Sequence, residues 1–180
     1  MASEGRCCIN RKSQRGQAIA ELALQIPLMM LILFGAVELG RVFYVYHTLQ
    51  KAVRGGASFL ARSNNVEYCN PTDLTLQDAR NFIVWGNLQG LGQPVVQGLT
   101  TDVIQILPER KETGSTGVLA CSCAADPGDP ESCDVSSGGR PPDFVVINLG
   151  TGFPIAVPFP FVNIGTINVQ VSVRMPVTGS

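Results

Sequence analysis

The residues best placed to do chemistry sit together near the N-terminus. Arg15-Gly16-Gln17-Ala18-Ile19-Ala20-Glu21 sets a basic residue and a glycine ahead of a lone acid that lies inside an apolar run. A charged side chain at the centre of a membrane span costs about 2.5–3.5 kcal/mol. Glu21 is nearer the end of the run, so its cost is smaller, but it still calls for a reason. The plain alternative is a snorkelling acid with no assembly role. A second set is Cys69, Cys121, Cys123 and Cys133. Four cysteines can pair in three ways. Pairing Cys121 with Cys123 is disfavoured by their closeness in the chain, and the other two arrangements stay open. A zinc site is the competing reading, but the sole histidine, His47, lies far from these residues in sequence. Asp126, Asp129, Glu131 and Asp134 are of a type that binds calcium, yet their spacing misses the EF-hand pattern and a solvated loop suits them better. With one histidine, no C-x-x-C, no G-x-S-x-G and no phosphate loop, nothing points to an enzyme, a cofactor or a bound metal.

Composition narrows the class. The 180 residues carry a formal net charge of −1, which gives no reason to expect nucleic-acid binding. Charged residues are 15% of the chain, below the roughly 25% of an ordinary soluble domain. Residues 1–16 hold Arg6, Arg11, Lys12 and Arg15 against one acid, Glu4, and read as a basic cytoplasmic leader. Cys7 and Cys8 fall in this leader, with no lipobox before them.

From Gln17 to Val37 the chain is almost wholly apolar. As a helix this stretch spans about 31 Å at roughly 1.5 Å per residue, enough for a hydrocarbon core of about 30 Å. The run does not stop at a signal-peptide cleavage site. Val42, Val45, Tyr46, Leu49, Ala52, Val53, Gly56, Phe59 and Leu60 continue it with helical spacing on one face. One helix over residues 17–63 follows, with its membrane span at about 18–37. Its first half suits lipid and its second half suits a protein surface. Pro27 predicts a kink, and Gly35, Gly40 and Gly55–Gly56 are either close-packing points or weak points. Phe43, Tyr44 and Tyr46 suit an interfacial aromatic belt, although Tyr46 could equally pack on the folded domain. Basic residues flank both sides of the span, so orientation rests on the short leader and the cysteine-bearing domain, which favour the N-terminus inside.

Residues 64–180 read as an α+β domain. Asn64–Asn65 break the long helix. Asn70-Pro71-Thr72-Asp73 starts a short second helix carrying Leu76, Ala79, Ile83 and Leu88, which ends near Gly90. Strands are expected at 103–107, 118–123 and 144–148, with the strongest at 167–175, where apolar and polar residues alternate. Residues 108–117 and 124–143 read as loops. The three prolines between Gly150 and Gly165 favour an edge strand or an extended connection. The predicted architecture is a long N-terminal transmembrane and amphipathic helix packed on a small antiparallel β-sheet with one short extra helix.

The G-x4-E arrangement of Gly16 and Glu21 after a basic leader resembles the type IV prepilins. That resemblance implies cleavage by a prepilin peptidase between Gly16 and Gln17, with Glu21 as the fifth residue of the mature chain. The new amine at Gln17 could then pair with Glu21 of a neighbouring subunit and fix axial register. The stretch from Arg15 to Arg62 is similar to the TadE-like minor pilins of tight-adherence systems. It supplies Glu21, Pro27, Gly35, Glu38, Gly40, Arg41, Leu49, Gln50, Ala52, Arg54, Gly56, Ala57 and Arg62. Leu22 departs from the aromatic residue that often follows the glutamate in that family. The resemblance implies a pseudopilin that takes part in assembling a Tad-type adhesive pilus. Its partners would be the membrane, the prepilin peptidase, other pilin or pseudopilin subunits and the pilus assembly platform. It would be a single-pass protein of the bacterial inner (cytoplasmic) membrane with its C-terminal domain extracytoplasmic, or a component of the pilus itself. The alternative is an unprocessed, single-span, membrane-anchored extracytoplasmic binding module.

Overall fold

A computed structural model describes residues 11–111, 114, 117–123, 132–159 and 162–178. Helix α1 runs unbroken from Arg11 to Arg62, 52 residues, and passes through Pro27 without ending. It begins six residues before the Gln17 start expected from the apolar run. Residues 11–16 contain no proline, and Arg, Lys and Gln are good helix formers, so nothing in that stretch stops the helix. Cys7 and Cys8 lie outside the described residues. The helix ends where the sequence predicts. The Ser63 N–H donates to the Phe59 carbonyl at 3.2 Å and its hydroxyl to the same carbonyl at 2.9 Å. Asn65 then takes a left-handed φ of 56°, which Asn tolerates better than most residues.

Helix α2 spans Leu74–Trp85. Asp73 caps it by accepting from the N–H groups of Thr75 at 2.8 Å and Leu76 at 3.1 Å. The helix stops at Trp85 and not near Gly90, because Gly86 adopts φ 72° and donates its N–H to the Phe82 carbonyl. Leu88 therefore lies beyond the helix. Leu76, Ala79, Ile83 and Val84 form its buried face.

Four strands make an antiparallel sheet in the order β2-β1-β3-β6: β1 Gln105–Lys111, β2 Val118–Ala120, β3 Phe144–Asn148 and β6 Ser172–Pro176. Strand β3 matches its expected bounds and is the central buried strand, with Val145 and Ile147 fully buried. Strand β1 starts later than expected, after a 3-10 turn at Thr101–Val103, and takes in residues 108–111 that read as loop. Pro108 is tolerated inside it because β2 pairs only from Glu109 onward, so the missing N–H falls at the ladder's end. Strand β2 is shorter than the 118–123 expected, and Ser122 forms an isolated bridge to Ser132. Residues 135–137 form a 3-10 turn, while Asp126, Asp129 and Glu131 lie outside the described residues.

The proline-rich segment forms a separate hairpin of β4, Phe153–Phe159, and β5, Val162–Val169. A two-stranded ribbon has only edge strands, so proline does little harm there. The single strand expected at 167–175 is divided. Residues up to Val169 pair with β4, and those from Ser172 pair with β3. The inside–outside alternation persists across the break. Val169 and Val171 are buried, while Asn168, Gln170 and Ser172 are exposed.

One core joins these parts. Leu49, Val53, Ala57 and Leu60 of α1 meet Ala79 and Ile83 of α2, Val145 and Ile147 of β3, and Phe153 and Ile155 of β4. The face of α1 expected from periodicity is the face that packs. Two glycines let α2 approach α1 closely. A Cβ at Gly55 would stand 2.8 Å from Phe82 Cε1, and one at Gly56 would run into the Ile83 side chain. The Gly55–Gly56 pair therefore packs within the chain. Gly56→Leu should cost about 1–3 kcal/mol by overpacking. It should lower the midpoint of thermal unfolding, whereas Gly40→Ala, with nothing within 4 Å of its Cβ, should leave that midpoint unchanged or raise it.

Tyr68 closes the gap between the end of α1 and the start of α2. It is buried, and its hydroxyl donates to the Leu60 carbonyl at 3.5 Å. Burial, aided by the nearby Asp73 carboxylate, pushes the phenol up from 10.0 to about 12. The folded state thus holds this proton more tightly than the unfolded chain. The resulting stability is present below pH 10.0 and is lost as pH rises towards about 12. Denaturant titrations over this window should show a steeper alkaline loss for the wild type than for Tyr68→Phe.

Candidate functional site

From Gly16 to Phe34, α1 has no covering among the described residues. From Gly16 to Phe34 every side chain is exposed, and Leu24 reaches 79%. Soluble helices show one apolar stripe; this segment is apolar all round, as a lipid-facing helix is. Its mean hydropathy over an 18-residue window is 2.1, and it is the one helix among the described residues long and apolar enough to cross a membrane. Within it, Gly16, Gln17 and Glu21 fall on the first exposed turns. Gln17 Nε2 donates to Glu21 Oε1 at 3.2 Å, one turn along the helix. Glu21 is thus partly satisfied by its own chain. Pro27 is exposed in mid-segment.

Residues 16–58 match the family of TadE-like proteins. No curated protein and no solved structure matches the chain.

The TadE-like segment covers the exposed half of α1 and most of its packed half. It begins at the glycine of the G-x4-E arrangement. Where the two halves meet, Glu38 and Arg41 form an ion pair at 3.6 Å. Arg41 Nη1 also donates to the carbonyl of Ala156 on β4 at 3.4 Å. The pair therefore ties the helix to the β4–β5 hairpin. Gly40 is exposed, while Gly35 is half-buried. Gly35, Glu38, Val42 and Val45 are the half-buried positions of that stretch of α1, spaced three or four apart on one face. Sequence reasoning singled out Glu38 and Arg41 but not their partner. A backbone carbonyl leaves no signature in side-chain types.

Within the packed half, Tyr46 lies against the core and His47 stands edge-on to it, with ring centroids 5.6 Å apart. Phe43 and Tyr44 remain exposed, at 55% and 73%. The four cysteines of the domain pair as Cys69–Cys123 and Cys121–Cys133, with Cα–Cα distances of 5.3 and 5.5 Å. This is one of the two arrangements left open by the sequence. The first joins the α1–α2 connection to the end of β2. The second ties the end of β2 to buried Cys133, whose Sγ lies 3.3 Å from Arg110 Nη2. Among the described residues no cluster of metal-ligating side chains is found.

Closing a loop of 54 residues should contribute more than closing one of 12. Chain entropy gives about 4 and about 3 kcal/mol respectively. Cys123→Ala should therefore lower stability more than Cys121→Ala in denaturant titrations. Peptide mapping without reductant should recover the two cross-linked pairs named above.

Proposed function

We propose that this chain is a TadE-like pseudopilin, or minor pilin, that takes part in assembling a Tad-type adhesive pilus after prepilin-peptidase cleavage between Gly16 and Gln17. The observation that carries this reading is the placing of the TadE-like match. It starts at Gly16 and runs along an unbroken helix that has no covering from Gly16 to Phe34 among the described residues.

The chemistry supports the bond named. The Gly16–Gln17 peptide lies inside α1, so a peptidase must first unwind the helix locally. Glycine costs about 1 kcal/mol relative to alanine in a helix, which eases that opening. Nothing lies within 4 Å of a Cβ built at Gly16, so the site is open to an enzyme. Cleavage leaves a cationic amine at Gln17. A carboxylate accepts at both oxygens, so Glu21 can keep its Gln17 amide contact in one subunit while it receives the amine of the next. Among apolar helices, that pair would fix axial register, since misalignment would leave both charges without a partner.

In this reading the apolar half of α1 is a single-pass anchor in the bacterial inner membrane before assembly. The domain lies on the extracytoplasmic side, where its two disulfides suit an oxidising compartment. Its partners are the peptidase, other pilin or pseudopilin subunits and the assembly platform. The role is structural, with no catalysis by the chain itself.

The mature N-terminus tests this reading. In cells with an active prepilin peptidase, the membrane-purified protein should begin at Gln17. Gly16→Leu should remain full length and lose piliation. A wild-type protein that keeps its leader, with location and activity unchanged in Gly16→Leu, would instead support an unprocessed anchored binding module.

A further inference from the structure

We infer that the domain docks on a second copy of this chain: the cationic back of α1, with the groove beside it, takes the acidic outer face of α2. This rests on the reading that the chain works among pilus subunits, and it adds a contact between domains to the one between apolar helices.

The first surface is a stripe on α1. From Val42 to Arg62 the helix carries Lys51, Arg54 and Arg62 and no acid. With His47 and Ser58 they recur every three or four residues, on the face turned away from Leu49, Val53 and Leu60. The three cations are exposed. Among the described residues the ion pairs are Glu38–Arg41 and Glu109–Arg174, so none of the three is neutralised within the chain. Lys51 and Arg54 stand three positions apart and repel each other, a cost that an acidic partner removes.

Beside the stripe, α1 and α2 leave a groove of about 460 Å³. Gly55, Phe59, Phe82 and Leu88 line it with apolar surface, and Ser58 and Arg62 make it polar on one side. Arg62 Nη2 donates to Ser58 Oγ at 2.8 Å, which steadies the guanidinium there. Such a groove suits an apolar knob with a carboxylate close by.

The chain presents that combination elsewhere. Residues 63–104 hold Glu67, Asp73, Asp78 and Asp102 against one base, Arg80. Glu67 accepts from Asn70, and Asp73 caps α2. Asp78 and Asp102 have no ion-pair partner among the described residues, and Asp102 lies in the 3-10 turn that packs beside α2. Leu74 is 75% exposed, and Asp78 follows it one turn along the same face. Arg80 is engaged elsewhere, donating to the Pro71 carbonyl at 3.4 Å.

Charge complementarity thus selects a second copy. A bilayer does not fit the stripe. Lys51 stands 14 residues past Val37, about 21 Å at roughly 1.5 Å per residue. That exceeds two Debye lengths of about 8 Å each. Because the two patches differ, one contact leaves each copy a free patch for the next, the heterologous geometry that builds open files of subunits.

Cross-linking of the full chain in phosphatidylcholine vesicles tests this. Two variants, Ser58→Cys and Gln77→Cys, would be mixed in a background with Cys7 and Cys8 replaced by serine. A short bismaleimide should join the two variants to each other in preference to either with itself. Arg54→Glu with Arg62→Glu on the Ser58→Cys chain should cut the yield about tenfold, since like charges then face each other. Adding Asp78→Lys with Asp102→Lys to the Gln77→Cys chain should restore it. No mixed product, a yield indifferent to the charge reversal, or no rescue by the swapped pair would each overturn the inference. The N-terminus of the same protein from cells keeps the two readings apart. Cleavage at Gly16 without the cross-link removes this contact alone, whereas the cross-link on an uncleaved chain supports the contact and removes the processing.

Discussion

One continuous run of backbone hydrogen bonds, from Arg11 to Arg62, is what the rest of the structure depends on. A helix satisfies its own polar backbone, so it can pass from lipid into a protein domain without a break. In the proposed reading its side chains suit two solvents in turn. From Gly16 to Phe34 they are exposed and mostly apolar; from Leu49 to Ala61 one face is buried. The domain is built onto that face. β3 and β6 lie along it, and α2 is seated in the notch left by Gly55 and Gly56.

The changeover between the two halves of α1 carries its own chemistry. Glu38 and Arg41 neutralise one another within a turn, and Arg41 reaches across to Ala156. An unpaired acid beside this apolar run would be costly, whereas a pair that also holds a carbonyl locks the hairpin to the helix. The disulfides act at the opposite end, where Cys69 and Cys133 fasten the connections around β2. A domain with short strands and long proline-rich and glycine-rich connections is thus held at both ends of its contact with α1.

Much of this was legible in the sequence where a single side-chain pattern decides the outcome. Leu49, Val53 and Leu60 have helical spacing and pack as that spacing implies. The bounds of β3 follow from a short apolar run, and the start of α2 follows from Asp73. The outcome was not legible where it depends on a distant partner. Pro154 and Pro158 obscured the hairpin, because proline argues against strand without saying which edges are open. The chain changes partner at Gln170–Val171 without any change in the alternation, so one strand was expected where there are two. Pairing among four cysteines depends on tertiary placement. Of the N-terminal site, Gly16, Gln17 and Glu21 could be picked out from residue type and spacing, but the hydrogen bond between Gln17 and Glu21 could not.

The central claim is that α1 meets lipid on all faces in its first half and protein on one face in its second. Nitroxide labels placed one at a time along residues 20–60 would test it directly. The full chain would be studied in a bilayer, with Cys7 and Cys8 replaced by serine. Residues 20–34 should collide freely with dissolved oxygen on every face and not with a water-soluble nickel complex. From Val42 onward, accessibility should oscillate with the helical period. A nickel-accessible face within residues 20–34 would contradict the account.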